Sequence, residues 1–198
     1  LGGCIRTDEI TAPGFIHDVL SGWHPLFVTS PGYAELKDEL EGFGLEYCFT
    51  HTPTAVALPD KSFCILKMSR EENVKQMNEL SPGDGDRYQQ AMDELQQSLD
   101  LTFTLLGNEL WTWATCKLFL STLLKRGLIY LTSYFSYSLE TCRSWTGKTF
   151  NSDVTSACLA AWSAHTGIGP DAPTSGQMTR VIAFTLEMVG CPVVKGGA

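Results

Sequence analysis

Strand-like and helix-like patterns are segregated along this chain, and the segregation limits the folds that it can adopt. Alternating apolar residues predict three short strands, at 45–50, 54–58 and 63–66. The turn residues at 59–62 predict that the second and third strands form a hairpin. From Ser69 onward, apolar residues recur every three or four positions, which predicts helices. Because strands and helices do not alternate, we expect an α+β fold, with a small mixed or antiparallel sheet covered by many helices.

Turn and capping residues bound the helical patterns. Ser152 or Asp153 is placed to cap a helix that Gly167 would follow. His165 falls on the predicted inward face of that helix, so we interpret it as a core histidine rather than a metal ligand. The predicted helices cover roughly 33–40, 69–80, 84–107, 109–125, 127–146, 153–165 and 175–189.

The charge of the chain restricts its partners. The net charge is −8, and an acidic chain repels phosphate backbones, so we expect no nucleic-acid partner. Charged residues make up only 18% of the chain, which indicates that further chain or a partner covers part of its surface. The most apolar region, 99–139, is interrupted by Glu109, Lys117 and Lys125, so no transmembrane helix is predicted there. We expect a cytoplasmic or membrane-peripheral protein.

Motifs for metal, thiol and hydrolase chemistry are missing from the sequence. The seven cysteines include no Cys-x-x-Cys pair, and no histidine has a partner at the spacing of metal ligands, so we expect no metal site. We interpret the cysteines as reduced, buried thiols. The segment 167–172 matches a loose Gly-x-Gly-x-x-Ala pattern. It follows a helix rather than a strand and contains Pro170, so we reject it as a dinucleotide site.

Pairs of glycines stand near each end of the chain. Gly2 and Gly3 are followed by Arg6 and Thr7, and Gly196-Gly197 follow an extended segment. Glycine allows main-chain N–H groups to approach an anion closely, and arginine adds a fixed positive charge. We therefore predict that the two ends share one crevice and contact a dinucleotide. Ordinary glycine turns are the alternative interpretation.

Several segments, in the same order, resemble FAD-dependent oxidoreductases of the phytoene dehydrogenase-like kind, within the amine oxidase and phytoene desaturase superfamily. The segment 1–7 is similar to their Gly-Gly-x-x-Arg-Thr loop, and 190–197 is similar to their Gly-x-Pro-x-x-x-Gly-Gly stretch. Further similar segments lie between these ends: 13–19, Ser21 with His24 and Pro25, 44–46, 55–60, 160–162 and 167–173. Lys61 departs from the family pattern, which has glycine at that place in the hairpin turn.

The resemblance implies FAD as cofactor and hydride transfer between an apolar substrate and the flavin. The cofactor contacts that it implies are Gly2, Gly3, Arg6, Thr7, Gly196 and Gly197. His17, Asp18 and His24 are expected near the flavin, and no catalytic residue can be assigned. It also implies that 1–30 is the edge of an FAD-binding domain, 31–190 a substrate domain, and 191–198 a return toward the FAD-binding domain. The Gly-x-Gly-x-x-Gly strand would precede Leu1, so we expect an internal piece of a longer enzyme that does not bind FAD alone.

Two interpretations of the apolar helices remain open. Their aromatic residues either fill the core, which we favour, or line a substrate tunnel. A peripheral membrane contact near 118–137 is a further alternative. The first rival function is a non-catalytic helical module that binds a lipid or a protein partner, and the second is a thiol enzyme built on one cysteine. The aromatic residues concerned are Trp111, Trp113, Phe119, Tyr130, Tyr134 and Phe135.

Overall fold

A computed structural model of the chain describes residues 3–107 and 109–198. The fold is α+β, 57% helical with small antiparallel sheets, as the segregated patterns predicted. Among the described residues, no helix combines the length and apolarity needed to cross a bilayer. The elements are β1 (Thr7–Asp8), β2 (His17–Asp18), α1 (Pro25–Val28), α2 (Pro31–Gly42), β3 (Tyr47–Thr50), β4 (Thr54–Ala57), β5 (Phe63–Leu66), α3 (Arg70–Leu80), α4 (Asp84–Gln97), α5 (Leu99–Gly107), α6 (Trp113–Ser138), α7 (Cys142–Thr149), α8 (Asp153–His165), α9 (Ser175–Val189) and β6 (Cys191–Val194).

The chain divides into two compact units. We call the first the terminal unit because it includes both ends of the chain. It comprises Leu1–Ala55, Ile65–Arg70 and Thr185–Ala198. The second, the helical unit, comprises Val56–Cys64 and Glu71–Phe184. The terminal unit contains 1–30 and 191–198 together with 31–55, 65–70 and 185–190, three stretches that the resemblance assigns to the substrate domain.

The sheet of the terminal unit joins strands that are far apart in sequence. Strand β3 pairs antiparallel with β6, with Tyr47 opposite Val194 and Thr50 opposite Cys191. Gly190 precedes β6 with φ of 63°, and a Cβ atom there would overlap the Thr50 carbonyl group. Only glycine allows the chain to enter β6 so close to β3. Sequence analysis predicted both extended segments but not their pairing.

The predicted hairpin is confirmed, since β4 and β5 pair with each other. Within its turn, Leu58 N donates to Ser62 O at 2.9 Å. Lys61 has φ of 71°, the left-handed conformation that glycine adopts most easily. Asp60 Oδ1 accepts from the Ser62 main-chain N–H at 2.9 Å and from its hydroxyl at 2.6 Å. This local Asx turn stabilises the loop although lysine replaces the glycine that the family pattern has.

Two of the predicted helix boundaries are wrong, and capping explains both. The helix predicted over 84–107 is two helices, α4 and α5, because Ser98 leaves the helical conformation and its hydroxyl donates to Leu95 O at 3.0 Å. The helix predicted over 127–146 ends at Ser138. A new helix, α7, begins at Cys142, because the hydroxyl of the preceding Thr141 accepts from Ser144 N at 3.1 Å. The predicted break at Gly127 is confirmed by its φ of 82°.

A buried arginine holds three helices of the helical unit together, with the loop between two of them. Arg180 on α9 is fully buried, and its guanidinium lies 3.6 Å from the centre of the Tyr137 ring and 4.6 Å from that of Trp145. Arg180 Nη2 donates to Glu140 Oε2 at 2.7 Å and Nη1 donates to Tyr137 O at 3.1 Å. The ends of α6, α7 and the loop between them therefore converge on one charged group in the core.

A buried carboxylate similarly connects α4 with α8. Asp84 is fully buried at the start of α4 and accepts the main-chain N–H groups of Asn151, at 3.0 Å, and Ser152, at 2.9 Å. Arg87 pairs with the same carboxylate. Ser152 in turn caps α8, as predicted, by accepting Thr155 N at 3.3 Å.

The predicted inward face of α8 is partly wrong. Val154 and Cys158 are buried, but His165, which was predicted to face inward, is exposed. The buried face instead continues through Leu159 and Ser163. His165 lies at the end of the helix with its ring edge-on to Trp162, 5.5 Å between centres. It is therefore not a core histidine, because the apolar stripe rotates away from it over the last turn.

Candidate functional site

The two ends of the described chain meet at one place in the terminal unit. The Thr7 hydroxyl lies 2.7 Å from the Ala198 main-chain oxygen and 2.8 Å from Asp18 Oδ1. Its single hydrogen serves one of these acceptors at a time. Ala198 N donates to Asp18 Oδ1 at 2.8 Å. The predicted proximity of the two ends is thus confirmed, and we call this place the terminal junction (Thr7, Asp18, Gly196, Gly197 and Ala198).

A short antiparallel ribbon builds the N-terminal side of the junction. Strands β1 and β2 pair Thr7 with Asp18 and Asp8 with His17. The ribbon continues beyond the strands, because Val19 N donates to Arg6 O at 2.8 Å. This register places the Thr7 and Asp18 side chains next to each other on one face. The His17 ring lies instead 2.7 Å from the Thr11 hydroxyl at the loop end of the ribbon.

The glycines near the two ends of the chain serve different purposes. Gly197 has φ of 98°, and a Cβ atom there would overlap the Thr7 side chain, so glycine is required for the close approach of the two ends. Gly3 and Gly196 have φ of 60° and 80°, and no other group lies within 4 Å of the place where a Cβ would stand. These two glycines therefore leave main-chain surface open to a ligand. Gly2 lies outside the described residues.

Arg6 is exposed next to the junction but is not a free cation. Its Nη2 atom lies 2.8 Å from Asp8 Oδ2, and the hydrogen bond from Arg6 lowers the pKa of the Asp8 carboxyl. With Asp18 also at the junction, the fixed charge at this edge is not positive overall. A bound pyrophosphate would have to share Arg6 with Asp8, so the pair can regulate the strength of an anion site here.

His24 occupies a defined position beside the sheet. Its Nε2 atom lies 3.1 Å from Ser21 O and its Nδ1 atom lies 3.0 Å from the Tyr47 hydroxyl. A carbonyl can only accept, so Nε2 carries the hydrogen and the Tyr47 hydroxyl donates to Nδ1 when the ring is neutral. Burial raises the pKa of Tyr47, which keeps this hydroxyl protonated. The main-chain N–H of His24 donates to Pro192 O at 3.2 Å.

An open cleft of about 650 Å³ in the terminal unit has Tyr47 in its wall. Strand β6 leads from Val189 in the cleft wall toward the terminal junction. Lys195 follows this strand, and its Nζ atom pairs at 2.9 Å with Glu46, which also lines the cleft. Sequence analysis did not find this cleft, whose walls come from segments far apart in the chain. Its lining residues are Val28, Thr29, Tyr33, Lys37, Glu41, Gly44, Leu45, Glu46, Tyr47, Phe49 and Val189.

The aromatic residues of the helical unit do not form one group. Tyr134 is buried, and its hydroxyl lies 3.0 Å from that of Thr102. Phe119 stacks on Phe135 at 5.8 Å between ring centres. Trp111, Trp113 and Phe135 are 92%, 74% and 39% exposed, so the preferred interpretation that all six are core is wrong for these three.

The cysteines are all free thiols, and three of them, Cys64, Cys142 and Cys158, are buried. Cys4, Cys48 and Cys116 are exposed, so the expectation of buried thiols is wrong for these. Within residues 3–107 and 109–198, no three histidine, cysteine or acidic side chains are grouped as a metal site requires.

Comparison with known proteins adds no relative. No profile of a protein family matches the sequence, and none of the curated proteins matches it significantly.

Proposed function

We propose that this chain is part of an FAD-dependent oxidoreductase of the phytoene dehydrogenase-like kind, which transfers hydride between an apolar substrate and the flavin. The observation that supports this most is the terminal junction, where the segment after Gly3 and the segment ending in Gly197 meet through Thr7 and Ala198. These are the two segments that resemble flavin-contacting loops of that family. A cofactor edge built from both loops requires that they lie together in this way.

In this proposal the junction binds one edge of the cofactor. Gly3 and Gly196 offer main-chain surface without side chains in the way, and Arg6 offers the positive charge for a phosphate oxygen. Gly197 and Thr7 hold the two loops at a fixed separation. FAD supplies the hydride chemistry when it is bound. The strand that carries Gly-x-Gly-x-x-Gly would belong to the rest of the parent polypeptide.

The cleft is the proposed place for part of the substrate. Val28, Leu45, Phe49 and Val189 give it apolar walls, as an elongated apolar molecule requires. The hydrogen bonds of His24 to Tyr47 and to Ser21 hold the chain between the ribbon and the sheet in place. His24 therefore acts as a positioning residue, and no proton-transfer role is assigned to it.

The first experiment is to purify the full parent polypeptide and to measure its flavin absorbance and FAD stoichiometry. We expect a yellow protein with bound FAD. The chain of 198 residues alone should bind FAD weakly, because most of the adenosine and pyrophosphate contacts lie elsewhere. A colourless parent that does not take up added FAD would contradict the proposal.

The Arg6–Asp8 pair allows a sharper test in the parent protein. Arg6→Ala should weaken FAD binding about tenfold, since one charge-assisted hydrogen bond to phosphate is lost. Asp8→Asn should strengthen binding, because Arg6 no longer shares its charge. The matched control is Arg143→Ala, which breaks a similarly exposed arginine–aspartate pair in the helical unit and should leave FAD binding unchanged. Equal affinity for all three variants would remove Arg6 from the cofactor site.

A non-catalytic helical binding module remains the second candidate, and the exposure of Trp111 and Trp113 favours it. It predicts binding of a lipid or protein partner without flavin. Flavin content of the parent therefore separates the two candidates directly.

A further inference from the structure

Large apolar side chains protrude from the N-terminal half of α6 and from the residues just before and after it. Trp111, Leu124 and Ile129 are 92%, 78% and 83% exposed. Their neighbours on the same surface are also more than half exposed. We call this surface the α6 patch, and it consists of Trp111, Trp113, Leu120, Leu124, Leu128 and Ile129. A contiguous apolar surface of this kind on a helix is typical of an interaction site.

The part of the patch between Trp113 and the break at Gly127 is an ordered face of the helix. Trp113, Leu120 and Leu124 lie within about 40° of one another around the helix axis, since successive residues advance by about 100°. The opposite face packs inward, with Leu118 and Phe119 against the buried cluster of Leu101, Leu131 and Tyr134. The first half of α6 is therefore apolar on both faces, and only the inner face has a partner within the described residues.

The charged residues of α6 itself are all positive. Between residues 110 and 139 the sequence contains no aspartate or glutamate, although the whole chain has 22 acidic residues and a net charge of −8. The charged residues in that interval are Lys117, Lys125 and Arg126, all exposed. Among the described residues, neither lysine forms an ion pair. Arg126 donates to Gln97 O at 2.8 Å and lies 4.7 Å from the centre of the Tyr130 ring, and the exposed Asp100 lines the same small pocket as Lys125 and Arg126.

We propose that the α6 patch docks on the surface of an anionic lipid bilayer. A helix with protruding apolar residues whose own charged side chains are all cationic is suited to lie in the headgroup region, with its side chains about 5–10 Å deep. Trp111 and Trp113 stand at one end of the patch, and tryptophan favours this interface. Lys117, Lys125 and Arg126 pair with lipid phosphates. The inference does not depend on flavin binding and is independent of the proposed oxidoreductase function.

Vesicle co-sedimentation of the intact protein tests this. We expect binding to vesicles of phosphatidylcholine mixed with phosphatidylserine, and much weaker binding to pure phosphatidylcholine vesicles. The double variant Leu124→Ser/Ile129→Ser should lower the bound fraction at least about tenfold, because two deeply inserted side chains are lost. The matched control is Phe43→Ser, which removes an apolar side chain that is 84% exposed in the terminal unit and should bind normally.

Reversing the charge of the two lysines on α6 is the second part of the test. Lys117→Glu/Lys125→Glu should abolish the preference for anionic vesicles, while Lys61→Glu, in the β4–β5 turn, should not. Thermal unfolding of every variant checks that the fold is retained, which the exposure of these side chains leads us to expect.

Three results would overturn the proposal. One is that neither vesicle type binds the protein, and another is that the patch variants bind as well as the unmodified chain. The third is concentration-dependent dimerisation that Leu124→Ser/Ile129→Ser abolishes, which would assign the patch to a second copy of the chain. Arg6→Ala should leave vesicle binding unchanged, so failure of the flavin proposal and failure of the lipid proposal are distinguishable.

Discussion

The terminal unit and the helical unit are each stabilised internally by different kinds of interaction. Nearly all of the fully buried apolar side chains belong to the helical unit, where helices pack around Tyr88, Met92 and Leu95. In the terminal unit, Leu66 and Leu186 are the main ones, and order comes from strand pairs and from hydrogen bonds such as that of Thr7. The comparison indicates that the proposed cofactor edge stands in the less stable part of the chain, where function-related motion is usual.

The largest expected effect is on the helical unit. Arg180→Met should lower the free energy of unfolding by about 3 kcal/mol, because Glu140 and the Tyr137 carbonyl lose their buried partner. Denaturant unfolding measures this. Arg143→Met, whose ion pair with Asp171 is exposed, is the control and should change stability by less than about 1 kcal/mol. Equal stability of the two variants would show that the arginine cluster is not the anchor of this unit.

The next effect should be confined to the terminal unit. Gly190→Ala places a Cβ against the Thr50 carbonyl at φ of 63°, so we expect the β3–β6 pair to open more easily, at a cost of about 1 to 3 kcal/mol. Hydrogen exchange should speed up at the β3 and β6 amides and stay unchanged in α4 and α8. Gly147→Ala, on α7 with open space at its Cβ position, is the matched control. Faster exchange throughout both units would show that they unfold as one.

The smallest effect is a pH dependence within the helical unit. Although the side chain of His165 is exposed overall, partial desolvation lowers its pKa in the folded state, so the folded state prefers the neutral ring. Its contribution to stability is therefore present above the unfolded pKa of about 6.5 and is lost as the pH falls through the lower folded value. His165→Gln should flatten the unfolding free energy slightly between about pH 7 and pH 5. An unchanged slope would show that His165 is solvated as freely in the folded as in the unfolded chain.

Local signals in the sequence predicted many of the elements because their causes are local. Ser152 caps α8 through its own hydroxyl and the N–H three residues later. Gly127 interrupts α6 through its own backbone conformation. The β4–β5 hairpin follows from two alternating segments and the turn between them. Wrong boundaries arose at Ser98 and Thr141, where hydroxyl groups compete with the helix and propensity alone does not show which conformation is adopted.

Only part of the candidate site could be predicted from the sequence, and the rest needed the contacts in space. The sequence singled out Thr7, Gly197, Asp18 and His24 as residues of interest, each in its own segment. Tyr47, which donates to His24, was not among them, and neither was Asp8, which pairs with Arg6. Tyrosine and aspartate are common on protein surfaces, so neither residue carries a signal until its neighbour in space is known.

By itself, the sequence determined the α+β composition of this protein, most of its helices, the hairpin and the presence of open glycine loops near both ends. Periodicity and capping act within a few residues, and so they can be read from neighbouring positions. Tertiary structure alone decided that β3 pairs with β6, that Thr7 meets Ala198 and that Arg180 is buried between two rings. Those contacts join residues distant in the chain, and their energy depends on shape and burial that no local pattern encodes.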